Sequence, residues 1–276
     1  MLSYPIPAGT KLIDKRTNGQ SLSWYQSLLG SGVHGVILDM MTGDVQPDIQ
    51  NALTAGLTVL LFQGYDTAMF AIPSQATTRA NLMVKAAKTA GFPAGSHACN
   101  LALDLEATGS ASASAIYTWA TNWGETVRQA GYQPALYVGP GQPLSGQQLY
   151  DLPPFTHYWR SAANVPAVAT RGYEILQTAF NQVFEGVYVD YNLVQADALG
   201  SLPVGVMLQP GPNAATFAAL QQQVATLQAA LTTLHREGQH TAQTVATMQA
   251  QLTALTNTVT GQQDLLTALK MAFQKG

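Results

Sequence analysis

Two periodicities divide the chain. Over residues 1–200, short strand-like runs alternate with stretches whose apolar positions recur every three or four residues, the pattern of parallel βα units. The strand-like runs are Lys11–Arg16, Gly35–Met40, Thr58–Tyr65, Asn100–Ala107, Gln133–Gly139, His157–Ala162, Tyr173–Phe180 and Gly186–Asn192. Helices fit between the first five, at Ser21–Ser31, Gln46–Ala55, Ala76–Ala90 and Ala111–Ala130. Each ends near a glycine (Gly32, Gly56, Gly91 and Gly131), the residue that most easily takes the left-handed conformation of a helix stop. Later connections are too short for full helices, and only a tight turn separates the last two runs. These elements predict an α/β fold, an irregular TIM-like (β/α) barrel that is regular for its first five units.

Beyond residue 200 the pattern changes. From Phe217 to Phe273, steps of three and four residues pick out 17 positions, of which 14 are apolar, and the register never slips. A strict 3.5-residue repeat keeps one narrow seam turned toward a partner helix and predicts a long C-terminal α-helical coiled coil, a rod about 85 Å long. An amphipathic helix folded back on the barrel is the alternative. Flanking positions such as Gln221, Gln228, Gln249 and Thr256 carry almost no charge, which favours self-association into a dimer or trimer over charge-selected pairing. Gly238 and Thr241 weaken the seam around His235–His240, where a helix fault or hinge is expected. The expected organisation is a barrel over 1–200, a Pro/Gly linker over 201–214 and an oligomerisation stalk over 215–276.

Composition narrows the chemistry. Only 10% of residues are charged and the net charge is −3, so binding of nucleic acid through bulk positive charge is not expected. The single cysteine, Cys99, excludes an intrachain disulfide framework and a multi-cysteine zinc site. No apolar run approaches the length of a membrane span, so membrane insertion is not expected. Met1–Pro7 has neither a basic nor an apolar leader region, so no signal peptide is expected. No cofactor-binding glycine loop is present, and no metal or cofactor is expected.

Carboxylates fall where barrel strands end. Asp14 closes the first run, Asp39 the second, Asp66 follows the third, Asp104 and Glu106 lie on the fourth, and Asp190 ends the eighth. Acids from different strands therefore converge at the C-terminal rim, where such barrels carry their active sites. Asp104 and Glu106 are two apart, so both point to one face, while Leu101, Leu103 and Leu105 point to the other. Buried carboxylates without partners are costly, so this alternation marks a working or ancestral site, or acids held by Arg16, Arg160 or backbone donors. Paired acids suit glycoside hydrolysis, one as proton donor and one as stabiliser or trap of the cationic centre. Tyr137 and Trp159 are the aromatic residues expected to stack on sugar rings, whereas Trp119 and Trp123 read as core.

The runs Ala90–Ser96, Asn100–Glu106, Ala130–Gly139, Ile175–Gln177 and Val189–Asn192 together resemble the glycoside-hydrolase-like barrel of unknown function found in actinobacterial proteins, a relative of the family-25 lysozymes. The resemblance covers roughly residues 9–200. It implies that Glu106 is the general acid, that Asp104 positions the substrate or stabilises the cationic centre, and that Asp14 and Asp190 line the same pocket. Asp66, Gln177 and Asn192 complete the candidate substrate-binding set. The run Phe62–Asp66 departs from the lysozymes in having no His after Tyr65, which implies a rebuilt sugar subsite.

Barrel and rod together suggest a bacteriophage virion protein: a minor tail, fibre or head appendage assembled in the host cytoplasm. It would contact other virion proteins and bind or cleave host cell-wall glycan, with avidity from repeated copies. An endolysin-type muramidase and a catalytically dead structural barrel are the alternatives.

Overall fold

The computed structural model describes residues 1–66, 68–208 and 242–273. They fall into two units, Met1–Leu208 and a C-terminal unit that begins at Gln209.

All eight expected strands are present in the first unit: β2 (Lys11–Lys15), β3 (Gly35–Asp39), β4 (Thr58–Gln63), β5 (Asn100–Leu105), β6 (Gln133–Val138), β7 (His157–Arg160), β8 (Ile175–Phe184) and β9 (Val187–Val194). Pairing runs β4-β3-β2-β9-β8-β7-β6-β5, and a further β4–β5 pairing closes the ring. The strands from β2 to β8 are mutually parallel, whereas β9 runs antiparallel to both β2 and β8. The result is a closed eight-strand, TIM-like barrel whose last unit is a hairpin.

The four long helices also match expectation: α1 (Leu22–Gly30), α2 (Gln46–Ala55), α3 (Gln75–Thr89) and α4 (Ala113–Gln129). Ser21 and Ser112 cap α1 and α4 by accepting from Trp24 N and Ala115 N. The four stop glycines all have positive φ. On α4 the buried residues Ile116, Trp119, Ala120, Trp123 and Val127 recur at helical spacing and pack outside the barrel wall, confirming both tryptophans as core. A five-residue helix, α5 (Gly146–Tyr150), joins β6 to β7.

Two strands were not anticipated. β1 (Leu2–Pro5) pairs antiparallel with β10 (Val204–Met207), which joins the wall through Val206 opposite Val59. The segment expected to be linker from 201 thus begins as barrel: Val206 is buried, and Val204 N donates to Asn100 Oδ1 at 2.5 Å. Ile6 and Leu202 fill the barrel interior beneath β1 and β10. The lower interior holds an apolar cavity of about 20 Å³, lined by Ile37, Leu60, Ala102 and Ile175 among others.

In the second unit, α6 (Ala242–Phe273) is a single 32-residue helix, about 48 Å long. Its seam residues Met248, Leu252, Leu255, Val259, Leu266 and Leu269 are half-buried, while Gln262 and the residues between them from 249 to 267 are exposed. Several threonines, among them Thr256 and Thr260, donate to the carbonyl four residues back, which satisfies their hydroxyls within the helix. The remainder of the expected linker, the first half of the expected stalk and the expected fault at His235–His240 lie outside the described residues.

Candidate active site

Strand parity builds the site. Inward-facing residues of the lower barrel are apolar: Leu12, Ile37, Leu60, Ala102, Ala135, Ile175 and Val194. Two residues further toward the rim on β2, β3 and β5 the same face carries Asp14, Asp39 and Asp104, all buried. Gln177 on β8 and Asn192 on β9 complete the polar layer. The alternating leucines of β5 pack outward against the helices, as their spacing predicts. Because β9 is antiparallel, its inward row climbs from Val194 through Asn192 to Asp190, and Asp190 stands opposite Asp14 in the β2–β9 register.

A hydrogen-bond chain fixes half of this layer. Trp159 Nε1 donates to Asn192 Oδ1 at 2.8 Å, and Asn192 Nδ2 donates to Asp14 Oδ2 at 2.7 Å. Gln177 Nε2 donates to Asp190 Oδ2 at 2.8 Å, while its carbonyl oxygen accepts from Ala162 N at 3.0 Å and from the Tyr137 hydroxyl at 3.3 Å. Trp159 and Tyr137 are therefore not the exposed stacking faces expected from the sequence. Trp159 is 3% exposed, its ring packed edge-on to Phe62 and tilted against Tyr137, so both rings form the floor beneath the acids. Barrel curvature turns these positions into the interior, which a strand pattern read one strand at a time does not reveal.

Arg16 organises the other half. Its Nε lies 3.6 Å from Asp39 Oδ2, and its guanidinium covers the Tyr65 ring at 4.9 Å. Asp39 Oδ1 accepts from Met41 N at 2.8 Å and Gly64 N at 3.1 Å. A side chain at Gly64 would collide with this carboxylate, since a Cβ there would lie 2.5 Å from Asp39 Oδ2. Asp39 was recognised in the sequence as ending a strand but was not placed among the site residues. The parity that placed Asp104 places it equally. Arg160 makes no ion pair with these acids, so Arg16 is the cation the cluster uses.

Asp104 and Glu106 differ sharply. Among the described residues, Asp104 Oδ2 accepts only from Tyr65 N, at 3.3 Å, and Oδ1 is buried without a partner. Glu106 is half-exposed and leans across Gly139, where a Cβ would come within 2.3 Å of Glu106 Cβ. The next residue, Ala107, has φ 44°, a left-handed conformation unusual for alanine that turns the chain out of the barrel directly after the acid. Burial, then the neighbouring Glu106 charge, pushes the Asp104 carboxyl well above its ordinary range. Burial also raises Glu106, with Arg16 opposing and Asp190 adding to the shift. Asp14 is raised well above its ordinary range by burial and by Asp190, against hydrogen bonds from Asn192 and Gln177. Asp39 and Asp190 are raised by burial as well.

Above Asp14 and Asp190 a cavity of about 170 Å³ opens at the rim, lined also by Arg16, Thr17, Asn181 and Tyr188. Asp66 takes no part in the hydrogen-bond chain: its carboxylate pairs with Arg79 at 3.0 Å and accepts from Ala68 N, holding a single 3-10 turn at Met69–Ala71. Among the described residues no group of histidine, cysteine and carboxylate side chains is arranged to hold a metal ion. The arrangement suits proton transfer: acids whose hold on a proton is raised by burial, one of them accessible, over a rigid hydrogen-bonded floor.

Solved structures similar to this chain include the Clostridium perfringens spore cortex lytic enzyme SleM, at 13% identity and TM-score 0.49 over 70% of this chain and 69% of that one. A GH18 chitinase from Pseudoalteromonas aurantia is similar at 10% identity and TM-score 0.38, over 58% of this chain and 69% of that one. No curated protein matches the chain. Residues 39–199, more than half of the sequence and reaching from Asp39 past Asn192, match the Rv2525c-like, glycoside hydrolase-like domain, and the chain belongs to that family.

Proposed function

We propose that the barrel is a glycosidase acting on bacterial cell-envelope glycan, with Glu106 as proton donor. The observation that carries this reading is the Asp104–Glu106 pair. A buried carboxyl with an oxygen free of partners among the described residues stands two residues from an accessible one; the Glu106 charge raises Asp104's hold on a proton, and burial raises that of Glu106. Such a pair keeps a proton to higher pH than either acid would alone, and Glu106 is the member that can deliver it. In the reaction, Glu106 gives its proton to the glycosidic oxygen as the C1–O bond breaks. The cationic centre left on the sugar is stabilised by the carboxylate layer beneath. Water then adds at C1 and returns its proton to Glu106. Membership of a glycoside hydrolase-like family supports the substrate class.

The test is release of reducing ends from purified peptidoglycan by the native chain and by Glu106→Gln. Release by the native chain and a loss of at least about a hundredfold in the variant is the expected result. No release from the native chain would refute the catalytic role.

The seam of α6 favours a wider setting for this activity. Half-buried Leu252, Leu255 and Val259 on a nearly uncharged helix suit self-association into a dimer or trimer. A barrel repeated on such a stalk gains avidity for a polymeric surface, the arrangement of a bacteriophage virion appendage that meets the host envelope beside other virion proteins.

A further inference from the structure

The β8–β9 hairpin continues above the rim as an arm, and its cleft-side face is apolar and exposed. The inward row of β9 does not stop at Asp190. Two residues further out, on the same face, stands Tyr188, which lines the rim cavity and is 69% exposed. Its cross-strand partner on β8 is Val183, 63% exposed, so the two form one apolar surface beside the acids. The opposite row, Val187, Val189 and Tyr191, packs into the core between barrel and helices.

The arm is held firmly. Phe184 packs edge-on to Trp24 of α1 with ring centroids 5.5 Å apart, and Trp24 Nε1 donates to Phe184 O. A bulge between Ala179 and Gln182, with Asn181 at φ 53°, turns the Asn181 amide onto Asp190 Oδ1 at 2.7 Å. The backbone that positions the arm is thus the backbone that holds one of the acids. An exposed aromatic ring on a fixed support, next to a polar, acid-lined cavity, matches a molecule with one apolar face and a rim of hydroxyls.

We propose that Tyr188, backed by Val183, is a stacking platform for a pyranose ring of a glycan strand that runs from the acidic cavity across the arm. The inference rests on the glycan reading of the site and adds its polymer dependence: the platform engages a sugar beyond the one held at the acids, so it contributes only for strands long enough to reach it. Tyr188 is a binding residue, separate from the proton-transfer pair.

The test measures binding of peptide-stripped, size-fractionated peptidoglycan glycan strands by calorimetry, in a Glu106→Gln background that leaves the strands uncut. Tyr188→Ala is expected to weaken binding of long strands about tenfold, the size of one aromatic contact, and to leave the shortest strands unaffected. Tyr188→Phe, which keeps the ring, is expected to restore binding. Equal affinity of Tyr188→Ala and its parent for every strand length would overturn the platform while leaving the site reading intact. Absence of binding in the parent would overturn both. Because Tyr188 is exposed, the melting temperature serves as the folding control and should not change.

Discussion

Asp48→Ala is the sharpest test of how the rim is supported. Lys15 follows Asp14 on β2, but its side chain points outward between α1 and α2, where it is fully buried. Its Nζ lies 2.6 Å from Asp48 Oδ1 and donates to Thr17 O at 2.6 Å. Asp48 also accepts from the Tyr25 hydroxyl and from the amides of Gly19 and Gln20. Burial pulls the Lys15 ammonium below its ordinary range in spite of Asp48. Asp48 is pushed up by burial but held below the usual carboxylate range by Lys15, Tyr25 and Gly19. Removing the carboxylate leaves a buried cation uncompensated, a change that costs about 3–5 kcal/mol. For a unit of this size, about 4 kcal/mol lowers the melting temperature by about 12 °C. Urea unfolding monitored by tryptophan fluorescence measures the loss directly. Replacing both charges, Lys15→Met with Asp48→Leu, should recover roughly half of it, since no lone charge remains although Tyr25, Gly19 and Gln20 still lose their acceptor. A loss below about 1 kcal/mol for Asp48→Ala, the range of a solvent-exposed pair, would refute the argument. The consequence reaches the site, because Lys15 sits between Asp14 and Arg16 on the same strand.

Two further outcomes follow from features of the barrel and the helix. Asp14, Asp104 and Asp39 have folded-state pKa values above their unfolded ones, so the stability they contribute is fully present below the unfolded carboxylate range and is lost as pH rises through the folded values. Asp104→Asn should therefore raise the melting temperature at pH 8 more than at pH 4, and an equal effect at both would show that Asp104 titrates normally. Leu252→Asp with Leu255→Asp should shift the full-length chain to monomer in sedimentation velocity while the melting of the barrel is unchanged; an oligomer that survives would place self-association elsewhere.

Much of the fold was legible because barrel strands and their helices obey different periods. Gly56, whose φ is 91°, ends α2 where the sequence placed its stop, and the alternation of leucines with Asp104 and Glu106 assigned both faces of β5 before any pairing was known. What was not legible depends on closure. Val204–Met207 sits in a Pro- and Gly-rich stretch that reads as linker, and its pairing with Leu2–Pro5, some two hundred residues away, and with Val59 of β4 makes it β-structure. Trp159 looked like a rim residue because its depth in the barrel depends on the stagger of seven other strands. Tyr188 carried a signal that was available and unused: it shares parity with Asp190 and Asn192, so the row that supplies the acids also supplies the ring.

The reversed direction of β9 constrains how this cleft can vary. At the other strands the rim is built by loops that can change length one residue at a time. Between β8 and β9 it is built by a two-residue turn, Glu185–Gly186, on paired strands. Lengthening the arm by one residue per strand would turn the row of Tyr188 away from the acids, whereas two per strand would preserve its facing and raise the wall by about 7 Å. Depth at this side of the cleft is therefore stepped, and relatives of different reach should differ here by even numbers of residues in each strand.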